Sequence, residues 1–443
     1  MVRRTLPLAI TATLALGAAH AADTPPADLE SMQRRLEQLE TLVGTLRSEL
    51  DAERSARQKM ESATVIRPVS DGKSLKMQSP SGDFSFQVGG RIDVDAAHYK
   101  EDKQALGDGT DFRRARMYMR GTLARDFDYL FEYEFADSTV RNKGITDAWL
   151  RYKGFAPALI TMGNFKEPFG MEQLTSDNTT LFLERGVNDV LTPGRAIGIE
   201  ARTAGSQWSA AAGLFGEKPD SDVDKEGDEG WDMAARATYA PLLTPDAIVH
   251  LGAGVRRHQP EDSTNALRFR SRPESNITGV YLVDTGVLAD TDDFVSTNAE
   301  LAGLWGPVTF QSEYMHTALD RNGPAKDADF SGWYAQTAWL LTGERRPYKV
   351  AEGVFDRVQP LGSVGLGGIG AWELAARLSD LDLNDTGVTG GHERNLTLAL
   401  NWYLASNIRL MLNHIRVLEL DRPGNAADGD EPSIWGARMH VDF

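Results

Sequence analysis

Arg268, Arg270 and Arg272 occupy every second position of the run Leu267-Arg-Phe-Arg-Ser-Arg-Pro273, and no other residues of this chain carry chemistry so plainly. In an extended backbone, residues two apart lie on one side at a spacing of about 7 Å, which sets the three guanidinium groups in a row. Such a row repels itself until an anion enters it. Guanidinium stays charged at any physiological pH, is weakly hydrated, and offers forked donors that match phosphate or carboxylate oxygens. The same pattern suits a solvated loop strand facing lipopolysaccharide, and the row alone does not separate the two readings.

A second cluster lies in Phe112-Arg-Arg-Ala-Arg-Met-Tyr-Met-Arg120. Alternation puts Arg114, Arg116 and Arg120 on one face and Ala115, Met117 and Met119 on the other. On a membrane-spanning strand each arginine facing hydrocarbon would cost about 2–4 kcal/mol, so the charged face must look into a lumen. Arg256 and Arg377 fall on the polar side of their segments by the same rule. Glu132, Glu134 and Glu373 share that side, so Arg116 and Arg120 read equally well as anion ligands or as partners in ion pairs across a wall. The stretch from Phe169 to Arg185 has neither alternation nor a short turn. Folded inward, it would narrow a pore and bring the Ser176 hydroxyl and the Arg185 charge to the bottleneck; packed on an outer rim, it would do neither.

The elements that could position these groups are strands. Tyr129, Phe131, Tyr133 and Phe135 alternate with Leu130, Glu132 and Glu134; Trp372, Leu374, Ala376 and Leu378 alternate with Glu373, Ala375, Arg377 and Ser379. Leu396, Leu398, Leu400 and Trp402 do the same against Asn395, Thr397, Ala399 and Asn401. At the carboxy-terminus Trp435, Ala437, Met439, Val441 and Phe443 oppose Gly436, Arg438, His440 and Asp442. A period of two separates an apolar face from a polar one, as a transmembrane β-barrel requires. A soluble sandwich has the same period with its polar face turned outward. Residues 84–443 read as all-β and are assigned to an outer-membrane β-barrel; their length suits about 14 to 18 strands, a size that leaves a water-filled channel.

The amino end favours the barrel. Residues 1–21 have the charged start (Arg3, Arg4), short apolar run and small-residue exit of a cleaved secretory signal. The apolar run is too short for a membrane-spanning helix. Residues 22–60 carry Leu29, Met32, Leu36, Leu39, Val43, Leu46 and Leu50 at spacings of three and four, the seam of a coiled coil, and are expected to self-associate. Residues 61–83, broken by Pro68, Gly72, Pro80 and Gly82, read as a linker.

The chain has 443 residues, no Cys and a formal net charge of −17. That charge argues against nucleic acid as a partner and against a polybasic membrane-surface role. Without Cys there is no lipoprotein anchor and no disulfide framework. No G-x-S-x-G or H-E-x-x-H is present and the eight His are scattered, so neither an enzyme, a cofactor nor a metal is expected.

Taken together, these residues resemble the phosphate-selective porin O/P family. The similarity runs from about Phe84 to Phe443 and rests on Phe112-Arg-Arg-Ala-Arg116, Leu183-Glu-Arg185, Arg268-Phe-Arg-Ser-Arg272, Leu341-Thr-Gly-Glu344 with Tyr348-Lys349, Gly370-Ala-Trp-Glu-Leu374 and Asn401-Trp-Tyr403. The resemblance implies a homotrimeric, sixteen-stranded outer-membrane barrel in which an arginine ladder leads anions to a central constriction. Arg268, Arg270 and Arg272 match the ladder, Arg113 and Arg114 the paired arginines of an early strand, and Ser176 and Arg185 positions of the constriction loop. Gln173 stands where phosphate-specific members carry a lysine.

The function expected is therefore a passive anion channel of the bacterial outer membrane, conducting phosphate or polyphosphates such as pyrophosphate. Outer-membrane lipid and lipopolysaccharide would surround it, and the coiled coil would lie in the periplasm. Two alternatives stand beside it: a general porin of low selectivity, and an outer-membrane anchor whose work is done by the coiled coil.

Overall fold

A computed structural model describes residues 29–64, 67–70, 75–137, 143–217, 228–261 and 266–443. The signal sequence expected at residues 1–21 lies outside the described residues. The described parts form two units, one holding an amino-terminal helix and the other everything from the linker onward.

The helix, α1, spans Leu29–Thr64, four residues beyond the expected end of the coiled-coil segment. Its seam is exposed: Met32, Leu36, Leu39, Val43, Leu46 and Leu50 are each 47–60% exposed. The expected linker is not wholly irregular. Arg67–Ser70 pairs antiparallel with Leu75–Gln78, which in turn pairs with the first barrel strand.

The barrel strands are β1 (Ser85–Lys100), β2 (Gly109–Leu123), β3 (Phe127–Glu134), β4 (Gly144–Tyr152), β5 (Leu159–Lys166), β6 (Arg195–Ala204), β7 (Trp208–Phe215) and β8 (Trp231–Leu243). They continue as β9 (Ala247–Gln259), β10 (Thr291–Trp305), β11 (Val308–Arg321), β12 (Ala328–Leu340), β13 (Ala371–Asp385), β14 (Val388–Ala405), β15 (Ile408–Asp421) and β16 (Ser433–Asp442). Each pairs antiparallel with its neighbours in sequence, and β16 pairs with β1, so the sixteen strands close. Closure removes both sheet edges and satisfies every ladder inside the wall. The seam is completed by Phe443, whose N–H donates to the Gly90 carbonyl at 3.0 Å while its own carbonyl accepts from Gly90 N–H at 2.9 Å.

Alternation sorts the side chains as the sequence predicts. Phe131, Leu374, Leu398, Trp435, Met439 and Phe443 are exposed on the outer face, whereas Glu132, Glu134, Glu373, Arg377, Asn395, Thr397, Arg438 and His440 are buried inside. Two aromatic girdles mark the rims. Trp208, Tyr239, Trp305 and Trp339 are exposed near the end where the first strand begins and the last one ends, and Trp372 and Trp402 stack there with ring centroids 4.9 Å apart. Phe112, Phe135, Trp231 and Trp435 are exposed at the opposite, distal end. Aromatic residues take these positions because their amphipathic rings suit the boundary between hydrocarbon and headgroups.

The inside is not uniformly polar. In the distal part, Phe294, Leu319, Phe330, Leu381 and Leu383 form an apolar cluster with Phe269, Leu282 and Val283 from the 266–290 segment and with Phe169, Val187 and Leu191 from residues 167–194. Both segments enter from the distal end and are glued into the barrel mouth by this cluster. A third, residues 341–370, enters from the opposite end, where Val354 and Phe355 pack on Ile248, Leu304 and Met171.

A candidate anion pathway through the barrel

The arginine row enters at the distal mouth. A short antiparallel pairing sets Arg270 opposite Asp284 and Ser271 opposite Val283. Phe269 is buried in the apolar cluster, which turns Arg268 and Arg270 the other way and leaves both exposed. Arg268 is neutralised by Asp284, with Nε 2.8 Å from Oδ1 and a second nitrogen 2.5 Å from Oδ2. That hydrogen bond holds the Asp284 carboxyl below its ordinary range. Arg270 and Arg272 have no carboxylate partner among the described residues. Both guanidinium carbons lie 4.2 Å from the centroid of one ring, Tyr281, and Arg272 also donates to the Tyr281 hydroxyl at 2.5 Å. An aromatic face between two cations offsets part of their repulsion without neutralising either, so two of the three row arginines stay available to an anion.

The far end of the row is fixed by Glu274, which sits directly after Pro273 in the left-handed region at φ 51°. Its carboxylate accepts from Arg377, Ser379 and Thr397 on β13 and β14, each at 2.5 Å. Three charge-assisted bonds compensate the backbone strain and pin the mouth segment to the wall. Behind Arg268 opens a cavity of about 370 Å³ bounded by Arg256, His258, Asp232, Glu167 and Arg195. Arg256 is already engaged there, 2.9 Å from Asp232 and 3.3 Å from Glu167.

Residues 167–194 fold inward, as one of the two sequence readings expects. A carboxylate of the wall caps them: Glu313 on β11 accepts from the backbone N–H of Met171 at 2.6 Å and of Glu172 at 2.8 Å, and from the Tyr334 hydroxyl at 2.6 Å. On another side Arg377 reaches the loop at Glu172 and the Glu184 carbonyl, and its guanidinium lies 4.3 Å from the Phe182 ring. Arg438 bonds Asp95 bidentately at 2.6 Å and reaches the Leu183 carbonyl and Glu184. The loop is thus strapped to several walls of the lumen.

Two adjacent arginines, Arg113 and Arg114, both turn inward, which strict alternation forbids. The register supplies the reason: Asp93 pairs with Arg114 but Val94 pairs with Phe112, so β2 carries one extra residue opposite β1. Such a bulge re-aims a side chain. Arg113 then grips Glu184 with two bonds of 2.6 and 2.7 Å, and Arg114 meets Asp93 at 3.0 Å. Arg116 lies against Glu134 at 2.6 Å and Glu132 at 2.9 Å. Arg120 is exposed and donates to Gln87 at 2.9 Å.

Ser176 and Arg185 reach the lumen in different roles. Ser176 is exposed at the loop tip. Arg185 is turned back on the loop, donating to the Glu172 carbonyl at 3.0 Å and to Asp177 at 2.7 Å, and so braces the tip. Gln173 is buried and donates to the Pro193 carbonyl at 2.7 Å. Sequence reasoning missed three groups: Lys166, whose ammonium bonds the Gln173 and Thr175 carbonyls; Arg91, which donates to Asn178 at 2.7 Å; and Arg409, buried on β15 and bonded to the Thr180 carbonyl at 2.7 Å. Their inward parity was readable, but not the inward loop that meets them.

A closed sixteen-stranded antiparallel barrel with an apolar exterior, aromatic girdles and a charged, loop-constricted interior defines a porin of the bacterial outer membrane. The chain belongs to the family described as Phosphate-selective porin O and P, whose model matches residues 86–443. It is similar to an uncharacterised protein of Caulobacter vibrioides, 32% identical over 382 residues that cover 83% of this chain and 76% of that one. It is also similar to Porin O of Pseudomonas aeruginosa, 26% identical over 407 residues, covering 83% and 91% respectively. Among solved structures, the anion-selective porin from Comamonas acidovorans shares the fold with a TM-score of 0.50 at 14% identity, covering 81% of this chain and all of that one.

Proposed function

We propose that this porin conducts anions passively, with phosphate and short polyphosphates such as pyrophosphate as preferred substrates, and that the distal end faces the outside. The observation that carries the reading is the pair Arg270 and Arg272, exposed or half-buried at the mouth, flanking Tyr281 and lacking any carboxylate partner among the described residues. An oxyanion arriving there exchanges water for guanidinium donors and moves inward past Arg268 by exchange between neighbouring sites, which demands binding that is weak enough to release. No bond to the substrate is made or broken, so the channel is not an enzyme. The family name and the anion-selective porin of similar fold support the substrate class.

A second reading has its own support. Arg116, Arg236, Arg346 and Arg438 are all paired with buried carboxylates, and Gln173 supplies no charge at the loop. A lumen neutralised in this way suits a general porin of slight selectivity. The exposed seam of α1 further supports a parallel homotrimeric coiled coil on the periplasmic side, matching a trimeric barrel.

Single-channel recording of the purified protein in a planar bilayer under a chloride gradient separates the readings. Anion-selective reversal with millimolar or tighter block by phosphate, weakened by Arg270→Ala, supports the selective channel. Conductance indifferent to phosphate and to Arg270→Ala means the row is structural and the channel general.

A further inference from the structure

Asp177, at the tip of the inward loop, is the group that the wall arginines converge on. Its Oδ1 accepts one well-formed bond, from Arg185 at 2.7 Å. Its Oδ2 faces three more guanidinium groups: Arg114 at 3.2 Å, Arg91 at 3.7 Å and Arg116 at 4.0 Å. These four arginines come from β1, β2 and the loop itself, and Arg91, Arg114 and Arg116 are each no more than 7% exposed. The fit is loose. Charge-assisted N–H···O bonds settle near 2.7–2.9 Å, roughly, and none of the three wall arginines makes a bond of that quality to Oδ2. The Nε–H groups of Arg91 and Arg114 make no well-formed hydrogen bond, although the Arg114 Nε is the atom that lies 3.2 Å from Oδ2. A carboxylate is planar, with two oxygens; the donors around it would suit a larger acceptor with oxygens pointing in more directions.

At the constriction where the proposed anion pathway narrows, we infer that Asp177 is a tethered competitor: it occupies the cage formed by Arg91, Arg114, Arg116 and Arg185 when no tetrahedral oxyanion, inorganic phosphate being the simplest, is present. Asp93, Glu132 and Glu134 already face the wall arginines, and the Asp177 carboxylate adds the further negative charge that removes the need for a bound counter-ion in a buried site. A phosphate ion enters by displacing that carboxylate toward the exposed neighbour Ser176, takes the donors Asp177 leaves unused, and is expelled when the carboxylate returns. This deepens the anion-channel reading and rests on it for the substrate class. It adds that release from the constriction is driven by a group of the protein itself, and that the apparent affinity for phosphate is held down by Asp177. A tethered rival acts at a high effective concentration, so its removal raises the apparent affinity of the free ligand by about tenfold or more.

The test is titration of inorganic phosphate against chloride conductance for the wild type and for Asp177→Asn, Asp177→Ser and Asp177→Glu, with neutral sugar as control. The expected result is that both neutral variants are half-blocked at a phosphate concentration at least tenfold lower than the wild type, while Asp177→Glu stays near it and the sugar has no effect on any. If the neutral variants are half-blocked at the wild-type concentration or above it, the cage is a structural ion-pair cluster and the inference is overturned. A wild type that phosphate blocks, and whose block weakens on Arg270→Ala, leaves the channel reading standing even then. A wild type indifferent to phosphate whose Asp177→Asn variant is blocked supports the cage while overturning phosphate selectivity in the native channel.

Discussion

The backbone N–H of Met171 lies 2.6 Å from Oε1 of Glu313, across 142 positions of sequence, and this bond ties the start of the inward loop to β11. Both carboxylate oxygens are used, since Oε2 receives Glu172 N–H and the Tyr334 hydroxyl. Glu313→Ala should therefore release the start of the loop from β11 and leave two buried N–H groups without acceptors, at about 1–3 kcal/mol each. Single-channel conductance is expected to rise and its open state to become noisier, with folding in lipid vesicles weakened on urea titration. Unchanged conductance would show that Arg377 and Arg438 hold the loop without it.

Glu274 touches no substrate in the proposed pathway, yet it holds the row of arginines in place through Arg377, Ser379 and Thr397. Removing one partner of a buried ion pair costs about 3–5 kcal/mol. Glu274→Ala is expected to loosen the mouth segment, seen as protease cleavage within residues 266–290, and to raise the half-blocking phosphate concentration with all three row arginines intact. Glu274→Gly should behave alike, because relief of the left-handed backbone does not restore the lost bonds.

Arg116 and Met117 are neighbours on β2 with opposite surroundings, the first 7% and the second 49% exposed, because successive side chains face lumen and lipid. Met117→Arg should destabilise the folded barrel by about 2–4 kcal/mol in a bilayer. Reversible urea unfolding in lipid vesicles measures this, and a loss well under 1 kcal/mol would mean that the outer face of β2 is covered by something other than hydrocarbon.

The exposed seam of α1 predicts self-association carried by Leu36, Leu39, Val43 and Leu46. Burying a side chain of this size contributes about 1.5–3 kcal/mol, so Val43→Glu should lower the temperature at which the oligomer dissociates in semi-native gel electrophoresis. Chloride conductance of the barrel should be unaffected. An oligomer as heat-resistant as the wild type would place the association in the barrel wall.

Much of this protein follows from local rules that a sequence states directly. The period of two in β13, β14 and β16 assigns Glu373, Arg377, Asn395 and Arg438 to the inside and Leu374, Leu398 and Met439 to the lipid, because side-chain direction in a strand depends only on parity. The alternation over residues 84–443 fits a barrel and a sandwich alike, and it is the pairing of β16 with β1 that closes the wall. Three things needed the tertiary structure. The bulge that turns Arg113 inward beside Arg114 depends on how β2 registers against β1, and parity alone puts it on the wrong face. The partners of the arginines depend on which strands and loops meet: Arg438 and Asp95 pair across the closure of the barrel, 343 positions apart, and Arg377 with Glu274 across 103. The course of residues 167–194 depends on Glu313 and on the inner apolar cluster, so that Asp177, an unremarked acid in the sequence, arrives in the middle of four arginines. Local alternation is a property of the backbone; ion pairing is a property of proximity in the closed barrel, and proximity is what the chain cannot spell out residue by residue.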